Sequence, residues 1–557
     1  MAGQDQACAE GVVPIAAPIS HQGAGAPWSG VGDSPNIVQL ARAGSALNPE
    51  APAIIFEDGL VVSRSELMER VASFASYLKE RLAPGDRVAI ILENRAEFMI
   101  AWLAVAACRA TLVSINTGAQ AHDGGHILHD SAAKMVITGD AGESLVAQLK
   151  PDLPQLREVI RVGGSEPDGL SRFAGAHSFN WSELGIQPDD ATNVYYTSGS
   201  TGLPKACILD HTYWLRFVDV FQRLYGMGPE DRLLSSLQFS YGDPPWMMLT
   251  SLISGGTLVA MRRFSVSRYW QVVRRHGVTI IFGIASIPSL LLKQPPSTED
   301  RNHKVKFALQ LGMPAHLHRS VEERWGFRWV EGYGLTETGL VVSMPLALAA
   351  EMTGSGSIGV PCPEAEVSVI DDAGKPVAPG DIGEILIKAP GLMKGYLNRP
   401  DATAATIQDG WLFTGDLGHF DDRGFLYFNG RKKDIVRRGG ENVAAAEVEQ
   451  VLRSHPLVLE AAVVPVPDDV RGEEVKAFIL LVEGATPDQF PPPKVVEYCA
   501  QRLARYKVPR YIEYRRTDFP RTPSMRVKKH ALLEERRDQI AGAWDREHEA
   551  TTNATPG

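Results

Sequence analysis

The sequence is short of several things at once. Its five cysteines (Cys8, Cys108, Cys207, Cys362 and Cys499) are scattered with no C-x-x-C pair. Neither a disulfide framework nor a zinc site is indicated, and a reducing, cytoplasmic setting is expected. The most apolar stretch, FMIAWLAVAAC at 98–108, falls well short of the roughly 20 residues that span a bilayer. No basic stretch followed by an apolar one opens the chain, so no secretory signal is expected. Basic charge is lacking overall: the net charge of −10 argues against a general nucleic-acid binder. No internal repeat marks a solenoid or propeller.

What is present fits a large globular chain. At 557 residues with 44% hydrophobic and 22% charged composition, two or three domains are expected. Residues 1–35, rich in Gly, Ala, Pro and Ser, read as a flexible start. From about residue 50, short apolar strands alternate with helical stretches. APAIIFEDG reads as strand and turn, SRSELMERVASFASYLKERL as an amphipathic helix, and DRVAIIL as a buried strand. NRAEFMIAWLAVAACRA then reads as a helix, ATLVSIN as a strand, and a second such series runs over 190–340. This order predicts an α/β fold of mainly parallel sheets covered by helices. Over 355–430 the texture becomes short strands with Gly and Asp turns, a small β-rich subdomain. Beyond Arg431 the composition changes again. Residues 501–530 hold ten basic side chains against two acidic ones, either a solvated surface or a docking face for a polyanion. The last residues, 541–557, read as a flexible tail.

One stretch concentrates chemistry. YYTSGSTGLPK at 195–205 follows an apolar strand and packs hydroxyls, glycines and one cation together. Glycines let backbone N–H groups converge on an anion. Thr197, Ser198, Ser200 and Thr201 add hydroxyls, Gly199 and Gly202 add freedom, and Lys205 adds a point charge. The stretch is suited to phosphate, yet it is not the common P-loop, because Pro204 precedes the lysine and Ala206 follows it. GSGSIG at 354–359 matches G-x-G-x-x-G but is followed by VPCP, which prevents the helix a dinucleotide site needs. It reads as a loop.

TSGSTGLPK resembles the phosphate-binding signature of the adenylate-forming superfamily: acyl-CoA synthetases, peptide-synthetase adenylation domains and luciferases. GYGLTET at 332–338, GWLFTGDLG at 410–418 and GRKKDIVRRGGENVAAAEVE at 430–449 resemble its later motifs in order, so the likeness covers about 40–535. It implies an N-terminal adenylation domain over 36–432, and a smaller, mobile α+β domain over 433–540. It also implies an ATP- and Mg²⁺-dependent acid–CoA ligase that makes acyl-AMP and then a thioester with coenzyme A. Tyr333 would stack on adenine, Thr336 would bond the α-phosphate and Glu337 would hold Mg²⁺. Asp416 would accept from the ribose hydroxyls, with Arg431 beside it. Lys433 would be the hinge, and Gly439, Gly440 and Glu441 would face the thiol arm. Alternatives are loading of a carrier-protein thiol, activation of an unusual oxyanion such as nitrite, or a nucleotide-binding protein without ligase activity.

Two regions depart from the family pattern. The final motif normally supplies a lysine that bridges the acid and the α-phosphate; FPRTPSMRVKKHAL puts Arg526 there, with Lys528 or Lys529 as substitutes. In FSYGDPPWMM, Ser240 stands where many relatives have histidine. The resemblance places the acyl pocket near Phe239, Ser240, Tyr241, Trp246, Gly312 and Gly332, and a small or aromatic acid is expected. Asp243 either selects a cationic or amino-bearing acid or simply serves the turn before Pro244–Pro245.

Overall fold

The computed structural model describes residues 34–163, 170, 173, 179–197, 204–284, 287–439, 441–521, 527–535 and 539–547. The expected flexible start and tail fall outside these, apart from Ser34, Pro35 and residues 541–547. Chain packing divides the polypeptide into a larger unit, Ala17–Glu366 with Ile387–Leu412, and a smaller one that includes Val367–Leu386 and Phe413–Gly557.

Two sheets build the larger unit. In the first, Ala191–Thr197, Thr111–Ser114, Arg87–Ile91, Met135–Thr138 and Glu158–Arg161 lie side by side and parallel, with Lys205–Asp210 and Gly395–Tyr396 added antiparallel at one edge. In the second, parallel pairing runs from Pro52–Phe56 through Thr257–Ala260, Arg232–Ser235, Ile280–Ile284 and Phe307–Leu311 to Arg328–Leu335. The parallel strands alternate with helices, as the sequence order implied, because a parallel pair needs a long crossover. One connection differs from the local reading. Pro52–Phe56 pairs antiparallel with Val61–Ser63 and parallel with Thr257–Ala260, not with the next parallel strand Arg87–Ile91. GSGSIG leads into the strand Ser357–Pro361 and starts no helix.

The apolar stretch at 98–108 becomes the helix Ala96–Ala107, in which every residue is buried. A helix apolar on nearly every side belongs inside, and each large side chain so buried contributes roughly 1.5–3 kcal/mol. Its one polar aromatic group is satisfied: Trp102 Nε1 donates to Asn193 Oδ1 at 2.7 Å. Among the described residues no helix is long and apolar enough to cross a membrane. Asn94, just before this helix, ties the first sheet to the second. Its amide donates to the carbonyls of Leu237 and Met261, each at 2.7 Å, and its Oδ1 accepts from the Phe239 N–H at 2.7 Å.

The smaller unit contains the β-rich strands Gly383–Lys388, Trp411–Phe420 and Leu426–Arg431 in sequential pairing. It also holds a separate six-stranded sheet centred on Gly472–Leu481. Ala445–Arg453 and Pro492–Ala500 cover one face of that sheet, around Val448, Leu452, Val495 and Cys499.

His211 begins the helix His211–Tyr225 that follows the edge strand Lys205–Asp210. Its Nδ1 accepts from the Ile37 N–H at 3.3 Å, and burial lowers its pKa from 6.5 to about 4. The unfolded chain therefore takes up this proton before the folded one does. Stability is full above pH 6.5 and is lost as pH falls through 4. His211→Gln keeps an acceptor without titrating. Its urea midpoint should fall less than the wild type's between pH 7 and pH 4.5, the ionisation being worth about 3 kcal/mol.

Candidate active site

The phosphate-suited loop is closed at its base. Thr197 and Lys205 pair across the hairpin, and Thr197 Oγ1 donates to the Lys205 carbonyl at 3.3 Å. Ser198, Gly199, Ser200, Thr201 and Gly202 lie outside the described residues. Lys205 points its ammonium at the face of Tyr396, 5.0 Å from the ring centroid. The Tyr396 hydroxyl donates to Glu337 Oε1 at 2.9 Å. A cation, an aromatic ring and a carboxylate from three distant sequence positions thus meet at one sheet edge. Tyr396 was missed by sequence reasoning. Its short strand Gly395–Tyr396 is brought in by pairing with Cys207 and Ile208.

Glu337 and Thr336 owe their position to a tight turn between Arg328–Leu335 and Gly339–Ser343. A Cβ on Gly334 would sit 2.1 Å from the Gly339 carbonyl oxygen, and Gly339 has φ +65°. Only glycine allows this approach. Thr338 closes the turn by accepting from the Leu335 N–H at 3.0 Å. Thr336 and Glu337 are left half-exposed at the tip, and Tyr333 is buried opposite Val342. A single carboxylate suits Mg²⁺, which takes most of its octahedron from phosphate oxygens and water. Among the described residues no three His, Cys, Asp or Glu side chains group as a metal site by themselves.

Gly332 is enclosed by Leu309, Leu311 and Leu340, each within 3.1 Å of where a Cβ would be. Just before it, Glu331 accepts from the N–H groups of Gly312 and Met313, all at 2.9–3.0 Å. Burial raises the Glu331 carboxyl well above its ordinary value. This side chain, also missed in the sequence, pins the Gly312 turn against the strand carrying Tyr333.

In the segment 239–246, Phe239 is fully buried and packs against Phe56 and Phe98 at 6.3 and 6.0 Å. It is core behind the segment. The Ser240 hydroxyl is buried without a hydrogen-bond partner. Tyr241 and Asp243 are half-buried. Trp246 is fully buried, stacks on Phe217 at 4.5 Å, and donates from Nε1 to Asp243 Oδ1 at 3.4 Å.

In the smaller unit, Asp416 pairs in register with Arg431, whose Nε lies 2.9 Å from Oδ1. Asp416 is 1% exposed. Gly415 directs the chain there, its N–H donating to Glu384 Oε1 at 3.1 Å. Lys433 is exposed in a short 3₁₀ turn, Lys432–Asp434. Gly439 takes the left-handed conformation, φ +59°, between Ile435–Arg438 and Glu441–Ala444, with Glu441 opposite Arg438. Gly440 and Arg526 lie outside the described residues. Lys528 is exposed, whereas Lys529 is held by Glu449 at 2.7 Å and Asp434 at 3.5 Å. The basic stretch 501–530 is partly neutralised in space. Lys507 pairs with Glu447, Arg510 with Asp468 and Asp545, Arg515 with Glu535, and Arg521 with Asp518. Arg502, Arg505, Arg516 and Lys528 are exposed.

These features agree with comparisons to known proteins. A model of AMP-binding enzymes matches residues 42–397, and one of the AMP-binding enzyme C-terminal domain matches 447–526. A crotonobetaine/carnitine–CoA ligase of Salmonella typhi is 31% identical over 86% of this chain and 95% of its own length. One from Escherichia coli O7:K1 is 33% identical over 80% and 87%. ATP-bound MatB from Rhodopseudomonas palustris superposes with a TM-score of 0.82 at 28% identity, covering 90% of this chain and 99% of that one. The o-succinylbenzoate–CoA synthetase of Bacillus subtilis, solved with its acyl-adenylate, gives 0.77 at 30% identity over 90% and 98%. The chain belongs to the AMP-binding enzyme family. Within it, this is an AMP-forming acid–CoA ligase that uses ATP, coenzyme A and a small-molecule acid.

Glu331→Gln retains an acceptor for both N–H groups, while Glu331→Leu orphans them. Chemical denaturation should show the leucine variant less stable by about 2–4 kcal/mol and the glutamine variant close to wild type.

Proposed function

We propose the following division of labour for the ligase reaction, carried above all by the meeting of Lys205, Tyr396 and Glu337. A carboxylate oxygen of the acid attacks the α-phosphorus of ATP, the bond to the bridging oxygen breaks, and pyrophosphate leaves. Coenzyme A thiolate then attacks the acyl carbon and AMP leaves. Such phosphoryl chemistry depends on positioning and on charge neutralisation. Thr197, Ser198, Gly199, Ser200, Thr201 and Gly202 cradle the β- and γ-phosphates, and Lys205 balances the departing pyrophosphate. Glu337 holds Mg²⁺, which when bound neutralises charge developing on the phosphate oxygens. Thr336 donates to the α-phosphate and Tyr333 stacks on adenine.

Asp416 takes the ribose hydroxyls, since a carboxylate with two acceptor oxygens suits a vicinal diol, and Arg431 fixes its orientation. Arg526 or Lys528 bridges the acid and the α-phosphate. Lys529 is unsuited to that role because two carboxylates already hold it. Lys433 is the hinge of a mobile C-terminal domain, and Gly439, Gly440 and Glu441 line the thiol side. Coenzyme A is the acceptor, as the CoA ligases among the relatives support. Phe239, Ser240, Tyr241, Trp246, Gly312 and Gly332 bound or support the acid pocket. The betaine acids named for the Salmonella and Escherichia relatives make a small acid the first class to try.

Pyrophosphate release, measured over a panel of small acids with and without coenzyme A, tests the reading. At least one acid should give release, and coenzyme A should convert the product to a thioester; silence across the panel overturns it. With the active acid, Glu337→Gln and Lys205→Ala should each lower kcat/KM for pyrophosphate release about 10²–10³-fold. Lys433→Pro should suppress thioester formation far more than pyrophosphate release, and an equal fall in both would reject the hinge.

A further inference from the structure

Asp243 is an unusual side chain in its surroundings. It opens the helix Asp243–Ile253, deep enough that burial pushes its carboxyl up to about 6. The sole hydrogen bond to its side chain among the described residues is the long one from Trp246, and no lysine, arginine or histidine there pairs with it. Even a half-buried carboxylate without a counter-charge carries a desolvation cost, and an apolar or amide side chain would fill the same space. As the first residue of the helix the carboxylate gains from the positive end of the helix dipole, which offsets only part of that cost.

The groups facing Asp243 are aromatic. Tyr195, Tyr213 and Tyr241 lie close enough to feel its charge, each having its hydroxyl pushed up by burial and then by Asp243. Trp246, which holds the carboxylate, continues the set through its stack on Phe217. Tyr213 and Phe217 in turn approach Gly339, where a Cβ would meet Phe217 at 3.1 Å and Tyr213 at 3.5 Å. Gly339 lies two residues beyond Glu337. Burial pushes the Tyr213 hydroxyl up, and the charges of Asp243 and Glu337 add to that. The unpartnered Ser240 hydroxyl lies one helical turn before Asp243 in the chain.

A carboxylate among aromatic side chains suits a quaternary ammonium group, since ring quadrupoles and the formal charge both attract it and its weak hydration makes burial cheap. We propose that Asp243, with Tyr195, Tyr213, Tyr241 and Trp246, forms a subsite for a cationic group. The acid activated here then carries a positive charge at the end remote from its carboxylate, a few bonds away. This rests on the reading of 239–246 as part of the acid pocket. It adds the substrate's charge and the residue that selects it.

The test compares two acids of one shape, 4-(trimethylammonio)butanoate and its neutral isostere 5,5-dimethylhexanoate, in pyrophosphate release by the full-length enzyme. The cationic acid should be favoured in kcat/KM by about 30-fold or more, and Asp243→Asn should bring the ratio close to one. A wild-type ratio near one, or a ratio unaltered in Asp243→Asn, overturns the proposal. Calorimetric binding of each acid to the wild type with a non-hydrolysable ATP analogue keeps the two readings apart. Tighter binding of the cation without pyrophosphate release supports the subsite and counts against the ligase assignments, whereas equal binding overturns the subsite whatever the assay gives.

Discussion

A site that handles a nucleoside triphosphate must hold a cation for the phosphates and a carboxylate for their metal within a few ångströms, without letting the two neutralise each other. Among the described residues Lys205 and Glu337 are not joined as an ion pair. Tyr396 stands between them, its face toward the ammonium and its hydroxyl on the carboxylate. An aromatic ring can do both because its quadrupole attracts a cation while its hydroxyl remains a donor. Neither charge is spent on the other. The surrounding architecture serves this separation. The edge pairing at Gly395–Tyr396 brings the ring, the hairpin at Thr197 and Lys205 brings the lysine, and the glycine-only turn at Gly334 and Gly339 brings the carboxylate.

Much of this was legible in the sequence, and the boundary between the legible and the illegible has a physical basis. Local patterns carried over well: the helices Arg64–Lys79 and Ala96–Ala107 and the strands Arg87–Ile91 and Thr111–Ser114 stand where apolar periodicity put them. The motif glycines at 334 and 339 mark backbone positions where a Cβ or an ordinary φ is forbidden, so residue type alone reports geometry there. Long-range partners left no such trace. Nothing in PAIIF says that it pairs with Thr257–Ala260, and nothing in GLMKGYLNRP says that its tyrosine faces Lys205. Glu331 reads as a surface acid until the fold closes over it. The basic stretch 501–530 misleads in part for the same reason, because acids from 434–468 and 535–545 pair with some of its side chains and charge counted along a chain omits partners across space.

The energetic design of the larger unit follows from burial. Apart from Glu97, which Arg70 and Arg95 hold at its first turn, Ala96–Ala107 is apolar and wholly buried, so it has no solvent face with which to tolerate displacement, and its removal from water is part of the fold's main driving force. Polar groups near it are matched one for one. Trp102 has Asn193, Trp214 Nε1 has Thr192 Oγ1 at 2.8 Å, and Asn94 uses both its donors and its acceptor. In a dense, low-dielectric interior such matching is required, since an unpaired group there would cost about 1–3 kcal/mol. Asn94 also extends this matching to the next segment: it fixes the start of 239–246 to the first sheet.

Against that background the exception carries information. Trp102, Trp214 and Asn94 beside the central helix have their partners, whereas the Asp243 carboxylate has no counter-ion among the described residues. Core packing does not call for that carboxylate, because an asparagine would fill the same space with a smaller desolvation cost. Trp246 and Phe239, by contrast, are fully explained as core, through Phe217, Phe56 and Phe98. The segment therefore divides by residue rather than acting as a uniform wall. Phe239 and Trp246 hold shape, and Asp243 is the member proposed above to meet a ligand's charge. That division separates what this pocket shares with any buried helix start from what would let it tell one acid from another.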